Sequence, residues 1–221
     1  MGRLVVVEGL DGSGKSTQVE MLIDKLKGIN VELKNLDFPC YDDNSSIFVK
    51  MYLDGEFGKN SSDISCYGAS MFYAADRYVS FLKGWGADYK SGTSFVANRY
   101  TTSNAVHQMS KLSEEEWDDY LTWLFDFEYV KLSLPAPDLV VFLDVDPNIS
   151  RRMMLGRYNG NKELLDIHEK DLDYQRRCQK AAMYCCKTMG WKVINCSKDN
   201  EIRDKERISE ELFNIIEPIF T

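Results

Sequence analysis

VVVEGLDGSGKSTQ, residues 5–18, passes from a β-branched run through a glycine-rich turn into a helical pattern. Within it, residues 9–16 fit G-x-x-x-x-G-K-[ST] in the context that motif needs, a strand before it and a helix carrying Val19, Leu22, Ile23 and Leu26 after it. Gly9, Gly12 and Gly14 let the backbone curl so that its N–H groups point inward at phosphate oxygens, and the new helix adds its dipole. Lys15 would then reach the β and γ phosphates of a nucleotide, and the Ser16 hydroxyl would ligate Mg²⁺. The stretch predicts a P-loop that binds ATP or GTP through Gly9, Leu10, Asp11, Gly12, Ser13, Gly14, Lys15, Ser16 and Thr17.

Outward from this loop, strands and helices alternate. Residues 4–7, 31–36, 93–97, 138–144 and 191–195 read as five strands, and helical patterns cover about 47–53, 65–83, 147–155, 164–189 and 208–219. Ser113 and Glu116 form a capping box before a helix whose Trp117, Tyr120, Leu121, Leu124 and Phe127 share one face, a stripe that suits a core or a dimer interface better than a ligand box. Asp144, in LDVDP, either ends its strand as a metal ligand or belongs to the cap of the helix that Pro147 opens. There is no internal repeat, low-complexity segment or linker, so residues 1–221 read as one domain. The alternation predicts an α/β P-loop NTPase fold: a mostly parallel five-stranded sheet with helices on both faces. Such sheets carry their sites beyond the carboxyl ends of the strands, where SFVANRYTTSNAVHQ, residues 94–108, delivers Asn98 and Arg99.

Composition narrows the function classes. With 221 residues, 44% of them hydrophobic, the chain can bury a sizeable core. A net charge of -8 and basic runs no longer than a pair give no footprint for nucleic acid. The N-terminal apolar run is too short for a signal peptide, and nothing approaches the roughly 20 apolar residues of a membrane span, so a cytoplasmic protein is expected. Six cysteines, at positions 40, 66, 178, 185, 186 and 196, show no metal-ligand spacing and read as reduced, mostly buried hydrophobes. The N-K-x-D of a GTPase is missing, and the arginines after later strands favour a phosphotransferase that closes on a small acceptor.

Taken together, VEGLDGSGKSTQ, DFPCYDD, YAADR, NRYTTSNAVHQ and LDVDP with the polar stretch after it resemble the thymidylate kinase family in order and spacing, over about residues 5–169. The resemblance implies phosphorylation of dTMP to dTDP with ATP and Mg²⁺, usually by a homodimer. It implies that Tyr73 stacks on the thymine and Arg77, one helical turn on, hydrogen-bonds to the base. Phe38 and Tyr41 would line the acceptor site, Arg99 would clamp the dTMP phosphate, and Asn104 and His107 would face the nucleotide. Asp11 would position the acceptor and the Mg²⁺, while Asp166 and Glu169 match an acidic pair near the acceptor, with Glu169 a metal candidate beside Ser16 and Asp11. Gly12 carries no P-loop arginine, so a short lid at about 156–165 would donate the cation, from Arg157 first or Arg152 second.

Two departures stand out. His107 lies where the family often has an aromatic, and a histidine on a helix also serves purely structural ends. Asn98 replaces the aspartate that opens the family's D-R-[YH] motif, and an amide cannot act as a general base. A phosphate monoester with a second pKa of about 6 is already mostly a dianion at neutral pH, so a working kinase is still expected. A P-loop kinase for another nucleoside or nucleotide, and a non-catalytic nucleotide-binding relative, are the alternatives.

Overall fold

The computed structural model describes residues 1–58, 60, 62–157 and 171–221, with only the backbone at Arg157. The central strand is β1 (Leu4–Gly9), which leads through the P-loop into α1 (Lys15–Gly28) and on to β2 (Leu33–Asp37). There follow α2 (Ile47–Leu53), α3 (Cys66–Ser80), α4 (Gly86–Ser91) and β3 (Ser94–Asn98). Next come α5 (Thr102–His107), α6 (Trp117–Phe125), β4 (Leu139–Asp144) and α7 (Pro147–Arg157). The chain closes with α8 (Leu172–Met189), β5 (Lys192–Asn195), a hairpin of β6 (Ser197–Lys198) and β7 (Glu201–Ile202), and α9 (Lys205–Phe220).

The large sheet has the order β2-β3-β1-β4-β5, and every neighbouring pair is parallel. Alternate residues of β1 feed two separate cores. Leu4 and Val6 pack with Phe95, Phe142, Tyr174 and Ala181 on one face, whereas Val5 and Val7 pack with Leu22, Val141, Ile208 and Leu212 on the other. Burial on both faces explains why β1 and β4 are nearly unbroken apolar runs rather than alternating ones. The edge strand β2 keeps Lys34, Asn35 and Asp37 exposed. The carboxyl ends of β1, β2 and β3 converge on one rim, which places Gly9, Asp37 and Asn98 together.

Several sequence expectations shift. The helix expected over 65–83 stops at Ser80 and widens into a π turn at Phe81–Trp85 before α4. Gly86 sits so close to the Phe81 carbonyl that a Cβ there would lie 2.4 Å from it, and the wider turn brings the buried rings of Phe81 and Trp85 edge to face at 4.8 Å. The second strand starts at Leu33 rather than at 31, and the β6–β7 hairpin was not expected. Of the helix expected from 164, residues 164–170 lie outside the described residues, and α8 is capped where the Asp171 side chain accepts from Tyr174 N at 2.9 Å. The aromatic stripe of α6 is core, with Trp117, Tyr120, Leu121 and Leu124 all buried. All six cysteines are free thiols, Cys40 and Cys186 half-buried and the rest buried. No described helix is long and apolar enough to cross a membrane.

Candidate active site

The P-loop is built almost entirely from local backbone. Gly12 and Gly14 take left-handed φ angles of 76° and 81°, conformations that favour glycine. Gly14 is the residue before the first turn of α1, so the loop opens directly onto that helix's positive end. Lys15 is buried and its Nζ donates to the Leu10 carbonyl at 2.7 Å, which holds the ammonium across the loop. Gly12 also lies under α7: a Cβ there would come within 2.5 Å of the Ser150 carbonyl and 2.7 Å of Met154 Cγ. An arginine at this position has no room, so any cation for the transferring group must come from elsewhere.

Beside the loop opens a cleft that is partly open to solvent. Asp11 forms its P-loop wall, Phe38 and Tyr41 enter from the segment after β2, Tyr73 and Arg77 from α3, and Arg99, Asn104 and His107 from the end of β3 and α5. Of the residues expected at the acceptor that the structure describes, all line this space except Asn98, which stands at the rim beside it. Tyr73 is held edge-on by Tyr52, with ring centroids 6.3 Å apart.

Arg77 does not hang free. Its Nε donates to Glu128 Oε2 at 2.7 Å and its Nη2 to Glu128 Oε1, with both side chains fully buried. Burial alone would lower the Arg77 pKa, but the Glu128 carboxylate outweighs it and pushes the pKa up, keeping the guanidinium charged. Glu128 also accepts from Thr101 Oγ1 at 2.7 Å and Asn104 Nδ2 at 3.2 Å, so one carboxylate ties α3 to the start of α5.

Arg99 holds the junction between loop and cavity. It adopts a left-handed φ of 66°, a costly conformation for a side-chain-bearing residue and one concentrated at functional sites. Its guanidinium pairs with Asp11, while Nη1 reaches His107 Nε2 at 2.9 Å. Arginine has no acceptor atom, so Nε2 must accept and the His107 proton belongs on Nδ1, which lies 3.7 Å from Cys178 Sγ. Burial works against the Arg99 charge, yet Asp11 and Glu8 raise its pKa further. Glu8, fully buried on β1, accepts from Tyr100 N at 3.2 Å, Thr102 Oγ1 at 2.7 Å and Ser103 Oγ at 2.9 Å, which fixes the turn that follows Arg99.

Asn98 bridges the two ends of the site. Its Nδ2 donates to Ser16 Oγ at 3.3 Å and to Asp37 Oδ1 at 3.0 Å, while its buried Oδ1 has no hydrogen-bond partner among the described residues. Partial burial raises the Asp37 pKa above 3.8, against the pull of Arg99, Asn98 and Lys15. The orphaned amide oxygen, the Ser16 hydroxyl and the Asp37 carboxylate are all hard oxygen donors, a set that fits Mg²⁺ held jointly with nucleotide phosphates. Among the described residues no three His, Cys, Asp or Glu side chains cluster as a metal site of their own.

The remaining expected residues divide into those outside the described residues and those placed elsewhere. The Arg157 side chain, Asp166, Glu169 and residues 158–165 of the expected lid are outside the described residues. Arg152 is exposed and donates to the Asn200 carbonyl at 2.5 Å, which ties it to the β6–β7 turn. Asp144 accepts from Gln179 Nε2 at 2.7 Å on the α8 side, and the capping contact of α7 is made by Asp146, whose Oδ1 accepts from Asn148 N at 2.8 Å. Glu8, Asp37 and Glu128 escaped the sequence reading. The signal for Glu8 and Glu128 was a lone acid inside an apolar or aromatic run, which must find partners if buried.

A family model described as thymidylate kinase matches residues 7–206. A thymidylate kinase from Schizosaccharomyces pombe is 31% identical over 180 residues, spanning 81% of this chain and 78% of its own. One from Mycobacterium tuberculosis is 29% identical over 178 residues, spanning 79% and 81%. The solved thymidylate kinase of Candida albicans superposes with a TM-score of 0.66 at 20% identity, covering 99% of this chain and 92% of its own, and so shares the fold.

Proposed function

Because this chain belongs to the thymidylate kinase family, we propose that it transfers the γ-phosphoryl group of ATP to the phosphate of dTMP, giving ADP and dTDP. The observation that carries this reading is Arg99, which joins Asp11 of the P-loop to His107 of the cavity. A cation at that seam sits where donor and acceptor phosphates must meet.

In this mechanism the P-loop amides and the α1 dipole hold the donor phosphates, and Lys15 exchanges the Leu10 carbonyl for phosphate oxygens. Tyr73 offers its face to the base and Arg77, made rigid by Glu128, offers its remaining N–H groups. Arg99 exchanges Asp11 for the acceptor phosphate and aligns it in line with the leaving group. That phosphate attacks as its dianion, so no protein base removes a proton and an amide at position 98 suffices. Mg²⁺, when bound at Ser16 beside Asn98 and Asp37, supplies charge neutralisation of the donor phosphates.

A homodimer belongs to the same reading, supported by Ile47, Phe48, Tyr67 and Met71 on α2 and α3, which are 47%, 49%, 42% and 51% exposed. Sedimentation at micromolar concentration gives a dimer if this is right.

The test of the activity is ADP formation from ATP and Mg²⁺ with a panel of nucleosides and nucleoside monophosphates. We expect dTMP to be turned over with the highest kcat/KM. Turnover of nucleosides alone would move the chain to another acceptor class, and nucleotide binding without turnover would make it a non-catalytic relative.

A further inference from the structure

The rim of the sheet carries an acid that the mechanism above does not require by sequence, and its placement has a purpose. Asp37 ends β2 and Asn98 ends β3, and the two are direct partners in the parallel ladder. Neighbouring strands lie about 4.8 Å apart, so Asp37 stands one strand further from the P-loop than Asn98 does. The Asn98 amide spans that gap: the same Nδ2 donates to Asp37 Oδ1 at 3.0 Å and to Ser16 Oγ at 3.3 Å. Asn98 is 7% exposed, and its Oδ1 is buried with no partner among the described residues. The positive charges of Lys15 and Arg99 both reach Asp37, so it lies within the electrostatic field of the transfer site.

We propose that Asp37 supplies the negative charge for the divalent cation of the donor nucleotide that a neutral residue at position 98 cannot supply, acting through the Asn98 amide and cation-bound water. This rests on the kinase reading. The negative charge at this rim stands on β2 rather than β3, and the Asn98 amide keeps a dipole between that carboxylate and the Ser16 hydroxyl. Its Nδ2 end is fixed by Asp37 and Ser16, which leaves the Oδ1 end to accept from a water of the cation's shell. Asp37 is exposed, which lets it meet water without a full desolvation cost. It is a positioning residue, one hydrogen bond removed from the first ligand.

A simpler role would be charge balance for Lys15 and Arg99, and the experiment separates the two. Mn²⁺ binding is measured by electron paramagnetic resonance in the presence of a non-hydrolysable ATP analogue, for the natural protein, Asp37→Asn, and the exchanged pair Asp37→Asn with Asn98→Asp. Analogue binding in excess EDTA and melting temperature are recorded alongside. We expect Asp37→Asn to weaken Mn²⁺ by roughly 10- to 100-fold, in the range seen for outer-shell partners, with metal-free analogue binding little changed. The exchanged pair should recover most of that affinity. Mn²⁺ affinity within twofold of natural in Asp37→Asn, or an exchanged pair as weak as the single variant, overturns the proposal. None of these readouts needs turnover of dTMP, so failure of the kinase reading would show separately in the acceptor panel.

Discussion

The donor cradle and the acceptor cavity sit side by side but are made in different ways. The cradle is one contiguous stretch whose contacts are backbone and near neighbours, such as Lys15 with Leu10. The cavity is assembled from separate segments, and its side chains are held by partners far along the chain: Arg77 by Glu128, Ser103 by Glu8. A local loop can be damaged chemically while the fold survives, whereas the cavity's binding groups are also part of the core.

The sharpest way to break that contrast is at Glu128. Glu128→Ala leaves the buried Arg77 charge without its partner and should destabilise the protein by about 3–5 kcal/mol, read by urea unfolding. A loss below about 1 kcal/mol would mean that Arg77 finds other partners. Lys15→Ala is the opposite case. It should lower kcat by about 10²–10³, as for removal of one preorganised donor to the reacting group, with the unfolding midpoint almost unchanged. A matching loss of stability would show that the cradle is not energetically separate.

Gly12→Ala tests a place where the cradle backbone leans on a distant element, α7. The left-handed backbone and the Ser150 carbonyl 2.5 Å from the new Cβ should together cost about 1–3 kcal/mol, with ATP-analogue affinity falling in parallel. A pH-dependent effect is expected at Lys111, whose Nζ donates to the Tyr52 hydroxyl at 2.9 Å. Burial lowers its pKa from 10.5 to about 8. Between those values the unfolded chain holds a proton that the folded chain has released, so folded stability must rise with pH across that window. The natural protein should gain on Lys111→Met as pH climbs from 8 to 10.5, and a flat difference would contradict the assignment.

The same contrast explains what could be read in advance. The P-loop is legible because its glycines, Lys15 and Ser16 act within one turn of chain, and β1, β3 and β4 are legible because burial on both faces leaves apolar runs. Arg99 was legible from its place at the end of a strand, whereas Tyr73, Arg77, Asn104 and His107 were legible only through family resemblance, and the fold does bring all five to one cavity. Glu8 and Glu128 were not, since their partners lie 24 to 95 residues away and nothing local pairs them. Asp37 was hidden for a related reason: its meaning depends on strand register, which places it opposite Asn98. The π turn at Phe81–Trp85 shares its apolar spacing with the helix it interrupts and differs only in how Gly86 meets Phe81.

The most direct test concerns the reaction without a base at position 98. ADP formation from ATP and dTMP should be followed across pH for the natural protein and Asn98→Asp. We predict turnover by both, with kcat/KM rising through the second ionisation of the acceptor phosphate near pH ~6 and then levelling. No turnover by the natural protein, restored in Asn98→Asp, would contradict it.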